Sequence, residues 1–205
     1  VIVCGQRNKY YEISLKGNFS IFSVMFKPEG FRLFVNMPAS ELSDYVLPLN
    51  LLPGINLLNV EESIQQAESF HDCIRIMEKF LMERLKKQNE FEFNRIADSI
   101  NIISTSLGLI SIEELSSRAC LSRKQYERCF NEFIGLTPKK FLRIVRFQHL
   151  IHKKQLNKNA KLTELTYECG YYDQSHMINE FKQIAGMTPG KYFDGCSSYS
   201  DYFLD

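Results

Sequence analysis

Two sets of polar side chains recur at helical spacing in the second half of this 205-residue chain. Lys124, Glu127, Arg128 and Asn131 fall at i, i+3, i+4 and i+7, while Tyr126, Phe130 and Phe133 share the opposite, apolar face. About 50 residues later, Gln174, Ser175, Ile178, Asn179 and Lys182 lie outward of an apolar set formed by Met177, Phe181 and Ile184. These residue types carry base-reading chemistry: Arg pairs bidentately with guanine, Gln or Asn with adenine, and Glu accepts from cytosine. Ile178 among polar neighbours suits either a thymine methyl or a minor packing role. Arg123 just precedes the first set and His176 lies within the second, and both are counted with them as candidate DNA contacts.

Hydrolytic chemistry fits the same residues poorly. Asp173, Ser175 and His176 are of triad types, but neighbours on one helix point about 100° apart, so Ser175 and His176 do not meet as nucleophile and base. His71, His149 and His152 are scattered, and no Gly-rich phosphate loop or metal quartet is present, so neither an enzyme nor a cofactor is expected. Six cysteines (Cys4, Cys73, Cys120, Cys129, Cys169 and Cys196) lie far apart without a C-x-x-C pair, which reads as reduced thiols in a cytosol.

The elements that must position these ridges are written twice. Ser111–Phe141 and Lys161–Tyr192 share Glu114/Glu164, Leu115/Leu165, Phe130/Phe181, Gly135/Gly186, Thr137/Thr188, Pro138/Pro189 and Lys140/Lys191. In each copy a short amphipathic helix (Ile112 to Ala119; Leu162 to Cys169) runs into a tight turn. Ser122 or Asp173 then supplies a side-chain oxygen to the N–H groups of the next helix. Gly135 and Gly186 read as left-handed caps, and Thr-Pro starts another helix after each. This is the grammar of a helix-turn-helix.

Lys139 to Gln155 links the copies as a helix of roughly 25 Å at 1.5 Å per residue, enough to hold two helices near the roughly 34 Å repeat of successive major grooves. The total charge of +1 hides a strong local bias, because Arg118 to Lys161 holds 12 basic residues and only Glu127 and Glu132 as acids. So dense a charge fits a phosphate backbone better than one small anion. Lys139, Lys140, Arg143, Arg146 and Lys191 are the expected phosphate contacts, with Lys153 and Lys154 adding to the field.

Ser111 to Tyr192, preceded by a helix around Arg95 to Ser106, resembles the double helix-turn-helix DNA-binding domain of the AraC/XylS family. The tokens are Leu-Ser-Arg at 121–123, Phe130 with Gly-Leu-Thr-Pro at 135–138, Gly-Tyr-Tyr-Asp-Gln-Ser-His at 170–176, and Phe181-Lys182 with Gly-Met-Thr-Pro at 186–189. The resemblance implies base contacts at Lys124, Glu127 and Arg128 in the first copy and at Gln174, Ser175 and Asn179 in the second, with His176 in the family's Ser-His pair. Ser116 and Thr166 replace the family's usual Ala, Asn179 stands where many relatives have Arg, and Cys120 replaces a Gly. Cys120 is therefore expected to avoid a left-handed turn.

The first part of the chain carries β-strand composition. Tyr10 to Leu15, Phe19 to Phe26 and Phe31 to Val35 read as strands, separated by Lys16-Gly17-Asn18 and Pro28-Glu29-Gly30. Glu61 to Lys87 reads as one long amphipathic helix with its stripe at Ile64, Ala67, Phe70, Ile74, Met77, Leu81 and Leu85. Cys4-Gly5-Gln6, the turn at 26–30 and the Pro38–Asp44 stretch are similar to a poorly characterised regulatory domain found ahead of some AraC-type domains. The Val1 start reads as a position inside a longer polypeptide.

The fold class expected is α+β: a small β-rich N-terminal segment, a long amphipathic helix, then an all-α double helix-turn-helix joined by a linker helix. The expected boundaries are 1–60 for a partial regulatory domain, 61–90 for the helix, 91–193 for the DNA-binding domain and 194–205 for a flexible acidic tail. A composition 44% hydrophobic and 24% charged excludes a wholly disordered chain, and no apolar run approaches the roughly 20 residues of a membrane span. The sequence thus predicts a cytoplasmic, sequence-specific transcription regulator, read as an activator, that binds double-stranded DNA. RNA polymerase is its expected partner, with a small-molecule effector and a homodimer through the 61–90 helix left open. The competing reading is a metabolite- or partner-sensing adaptor whose basic domain binds DNA only nonspecifically.

Overall fold

The computed structural model describes residues 1–8, 10, 16–18, 20–35, 37–54, 58–85 and 90–195. It is mostly helical, with one small antiparallel sheet in which β1 (Ile2–Cys4) pairs with β2 (Val46–Pro48), Val3 opposite Leu47. The helices are α1 (Leu58–Gln65), α2 (Phe70–Met82), α3 (Glu90–Thr105), α4 (Ile112–Arg118), α5 (Arg123–Ile134), α6 (Pro138–Leu156), α7 (Leu162–Glu168), α8 (Gln174–Ala185) and α9 (Pro189–Gly195). Among the described residues no helix is long and apolar enough to cross a membrane.

The chain divides into two compact units, one drawn from Val1–Arg7, Glu12–Asp98 and Arg128–Leu136, the other from Asn8–Tyr11, Ser99–Glu127 and Thr137–Asp205. In the first, Val35, Leu42 and Leu52 form a buried core against Val3, Phe31, Phe34 and Leu47. Ala39 and Ser43 pack on the Gly135 turn that closes α5, where Ser43 Oγ donates to the Gly135 carbonyl. In the second, Leu150, Ile151, Leu165, Cys169, Tyr171, Met177 and Phe181 bury one another, flanked by Phe147, Tyr192 and Phe193. Phe181 takes the edge of Phe147 at 4.8 Å and of Tyr192 at 5.3 Å between ring centroids, the T-shaped geometry that aromatic quadrupoles favour.

Three expectations for the N-terminal part need correction. Of the expected strand Phe19 to Phe26, residues 20–26 are irregular, and Phe31–Leu33 is a single 3-10 turn running into Phe34. Tyr10 to Leu15 lies outside the described residues apart from Tyr10. High β-propensity gives a strand only where a partner edge is available, and here the paired segments are Ile2–Cys4 and Val46–Pro48, neither of which stood out by composition. The Glu61–Lys87 helix is two helices, because Ser69 caps α2 by accepting the Asp72 N–H at 3.1 Å and so interrupts the stripe after Gln65. Of the acidic tail, residues 196–205 lie outside the described residues.

Candidate nucleic-acid interface

The two helix-turn-helix copies close their turns with the same local bonds and start their first helices with different ones. Ser111 Oγ accepts the Glu114 N–H at 3.0 Å to start α4, and the Glu164 carboxylate accepts the Lys161 N–H at 3.4 Å to start α7. At the end of α4 the Cys120 N–H donates to Ser117 O and the Leu121 N–H to Ser116 O, each at 3.0 Å. At the end of α7 the Gly170 N–H donates to Tyr167 O and the Tyr171 N–H to Thr166 O, again at 3.0 Å. This paired pattern is a Schellman turn, which needs a left-handed residue one place beyond the helix end. Gly170 supplies it with φ +72°, and so does Cys120 with φ +53°. The expectation that Cys120 avoids that conformation is therefore wrong: closure of the turn outweighs the strain of its Cβ.

Ser116 and Thr166 lie at equivalent buried positions, and each satisfies its hydroxyl on its own helix, donating to Glu113 O at 2.9 Å and Leu162 O at 2.7 Å. The second helix of each copy then starts as its sequence dictates. Ser122 Oγ accepts the Gln125 N–H at 3.4 Å while Gln125 Oε1 accepts the Ser122 N–H at 3.2 Å, and Asp173 Oδ1 accepts the His176 N–H at 2.7 Å. Gly135 and Gly186 follow α5 and α8 with φ +84° and +73°.

On α5, Tyr126, Phe130 and Phe133 are buried, while Arg123, Lys124 and Arg128 are exposed and Glu127 and Asn131 half-exposed. Arg123 is not free: its Nε lies 3.0 Å from Glu127 and its Nη1 pairs with Glu113. The Glu127 hydrogen bond first, then the charges of Glu113 and Glu127, raise the Arg123 guanidinium above its ordinary value. On α8, Gln174, Ser175, Asn179 and Lys182 are exposed, and Gln174 Oε1 accepts the Thr163 hydroxyl at 3.3 Å. Ile178 is half-buried against the Leu150–Phe181 core, which favours its packing role over an exposed methyl contact. His176 turns its Nε2 toward Glu180 at 3.2 Å and its ring edge toward Tyr171.

The cations of α6 divide into two classes. Lys139, Lys140 and, on α9, Lys191 are exposed and make no ion pair among the described residues. Arg143 and Arg146 instead point at the buried Glu180 carboxylate, at 3.0 and 3.6 Å. Lys153 pairs with Glu168, whose hydrogen bond raises the Lys153 ammonium, and Lys154 closes the end of α6 on the carbonyls of Lys158 and Ala160 at 2.7 and 2.8 Å. Glu180 escaped the sequence reading. Its signal was an acid between Met177 and Phe181 on the apolar face of α8, with two arginines one turn apart on the linker helix. Burial first and the Glu180 charge second push the adjacent Tyr171 hydroxyl well above its usual range, so it remains protonated.

Comparison with known proteins reaches the same stretch. Residues 115–195 match the family described as a helix-turn-helix domain. Residues 115–195 thus carry a helix-turn-helix domain. Residues 2–48 match a family described as a domain of unknown function (DUF6597). The chain is 25% identical over 154 residues to an uncharacterized HTH-type transcriptional regulator, YdeC, of Bacillus subtilis, covering 70% of this chain and 52% of that protein. It is 31% identical over 81 residues to an uncharacterized HTH-type transcriptional regulator of Haemophilus influenzae, covering 40% of this chain and 27% of that protein. The chain thus spans about half and about a quarter of the lengths of these two relatives. The crystal structure of the AdpA DNA-binding domain with a target DNA aligns over 48% of this chain and 89% of that one, at 21% identity and a TM-score of 0.44.

Proposed function

We propose that this chain is part of a transcription regulator that binds double-stranded DNA sequence-specifically, with α5 and α8 entering successive major grooves. The observation that carries the reading is the repetition of one bonded frame, with capped first helix, Schellman turn and capped second helix, around two second helices whose outer faces are polar and exposed. A solvated helix needs no such duplication. Base contacts are assigned to Lys124, Glu127, Arg128 and Asn131 on α5 and to Gln174, Ser175 and Asn179 on α8. Lys182, Lys139, Lys140 and Lys191 are assigned to phosphates. Arg123 joins the interface by exchanging its carboxylates for a phosphate, since exposed ion pairs are weak and screened by solvent. RNA polymerase and an effector acting through the N-terminal unit are the partners proposed for the intact regulator.

Selection of bound duplexes from a random library, followed by anisotropy titration of the selected and a scrambled duplex, tests the function. The expected product is an asymmetric site of about two helical turns, bound at least about 1000-fold more tightly than the scrambled one. Equal affinity for all sequences at physiological salt refutes it, leaving the nonspecific adaptor.

A further inference from the structure

The buried carboxylate of Glu180 is the least expected group on α8. Its side chain is 10% exposed, on a helix that otherwise turns Met177 and Phe181 inward. Oε1 lies 3.0 Å from Arg143 Nε and 3.2 Å from His176 Nε2, and Oε2 lies 3.6 Å from Arg146 Nη2. Arg143 is held a second time from α8, donating through Nη2 to Gln183 Oε1. The Arg146 stem lies against Gly108, where an added Cβ would come within 3.0 Å of its Cγ, and its guanidinium sits 5.7 Å from the Tyr171 ring centre. Both arginines are mostly covered, at 25% and 21% side-chain exposure.

Resting on the DNA-reading function proposed above, we infer that Glu180 is a positioning residue for sequence discrimination: it binds Arg143 and Arg146 internally, keeping them off the DNA backbone, and fixes α8 on α6. The physical reason is an asymmetry of alternatives. For either arginine to reach a phosphate it must leave a carboxylate that has little water to replace it, and stripping a partner from a buried charge is penalised far more than an exposed phosphate contact returns. Exposed cations such as Lys140 face no such competition. The phosphate term, which is the same for every sequence, is thereby limited, and the orientation of Gln174, Ser175 and Asn179 is set by this ion-pair clamp.

The test uses the 205-residue chain, the selected duplex and a scrambled duplex, with affinity measured from low to physiological salt. With Glu180 present, R143Q and R146Q leave the slope of log affinity against log salt unchanged, whereas K140Q reduces it by about 0.9, one phosphate contact. E180Q keeps the shape and removes the anion. It steepens the slope by about 0.9–1.8 as one or both arginines reach phosphates, raises affinity for scrambled DNA, and narrows selected-over-scrambled preference at least about tenfold. Adding R143Q to E180Q reverses part of the steepening. A slope reduced by about 0.9 in R143Q or R146Q alone overturns the inference, and those two variants decide it even if E180Q does not fold. So does an E180Q variant that loses the same factor on both duplexes with its slope unchanged, the result of a merely structural role. A wild-type chain without sequence preference overturns the DNA-reading function and this inference together, while a selective wild type with either of the preceding results overturns this inference alone.

Discussion

Replacing Cys120 by glycine asks whether the two helix-turn-helix copies share one backbone turn. Cys120 has φ +53°, and an L-residue in that region carries roughly 1–2 kcal/mol of strain between Cβ and the following carbonyl. Glycine removes the strain but adds freedom to the unfolded chain, which offsets about 0.4–1 kcal/mol. Little else is lost, because the Cys120 side chain is exposed and, among the described residues, its polar contact is Sγ to Arg118 O at 4.0 Å. C120G should therefore stabilise the fold by about 0.5–1 kcal/mol, a rise of about 1–4 °C in Tm for a chain of this size. The mirror substitution has the opposite sign. In G170A the new Cβ inherits φ +72° and lies 2.1 Å from Leu109 Cδ2, which is half-exposed and able to swing aside. Strain less the entropic offset leaves a loss of about 1 kcal/mol. Urea titrations followed by circular dichroism compare both with wild type. A C120G variant that unfolds at lower urea, or a G170A variant as stable as wild type, refutes the shared left-handed turn.

Arg128 is exposed on α5 without an ion-pair partner among the described residues; R128A should cost about 1–3 kcal/mol of binding and relax preference at one base pair, read by titrating single-base variants of the selected site. Cys169 is 1% exposed and burial pushes its thiol up to about 11, so at pH 8 about a thousandth is thiolate. Iodoacetamide with mass-spectrometric readout should label exposed Cys120 and Cys4 quickly and Cys169 only on unfolding; equal rates contradict this. Burial, then the charges of Lys153 and His152, lower the His149 imidazole from its ordinary 6.5. Because the unfolded chain protonates first, stability should fall as pH drops from about 6.5 through that lower folded value, and H149Q should flatten the decline in denaturation midpoints measured from pH 5 to 7.5.

What could be read from the sequence was what the backbone settles within one turn. Ser122, Asp173, Thr137, Gly135 and Gly186 act on groups three to five residues away, so their types fix their bonds whatever the rest of the chain does. The Ser69 cap belongs to the same class and was legible too, but the apolar stripe across it drew the longer helix. Strand pairing was not legible, because Ile2–Cys4 finds Val46–Pro48 across more than 40 residues and composition does not name the partner. Glu180 was invisible for a similar reason: Arg143 and Arg146 look solvent-bound in a sequence until another helix delivers a carboxylate to them.

The two copies share a frame but place charge on it oppositely, and in the proposed DNA complex the depth of each charge sets how its helix meets the duplex. Residues 111–120 and 161–170 are buried in the same order, residue for residue. On α5, however, the acid Glu127 lies on the outer face beside Arg123, where both partners are about half exposed (57% and 40%). On α8 the acid Glu180 lies on the inner face, 10% exposed. An exposed pair is weak and yields to a phosphate or a cytosine amino group, whereas breaking a buried one is strongly unfavourable. Arg123 and Glu127 are therefore free to rearrange on a duplex, and α5 can adapt its contacts. On the proposed function the α8 clamp holds through binding, so the second copy presents Gln174, Ser175 and Asn179 as a preset surface. Base substitutions under α8 should accordingly be rejected more sharply than those under α5, although α5 carries more charge.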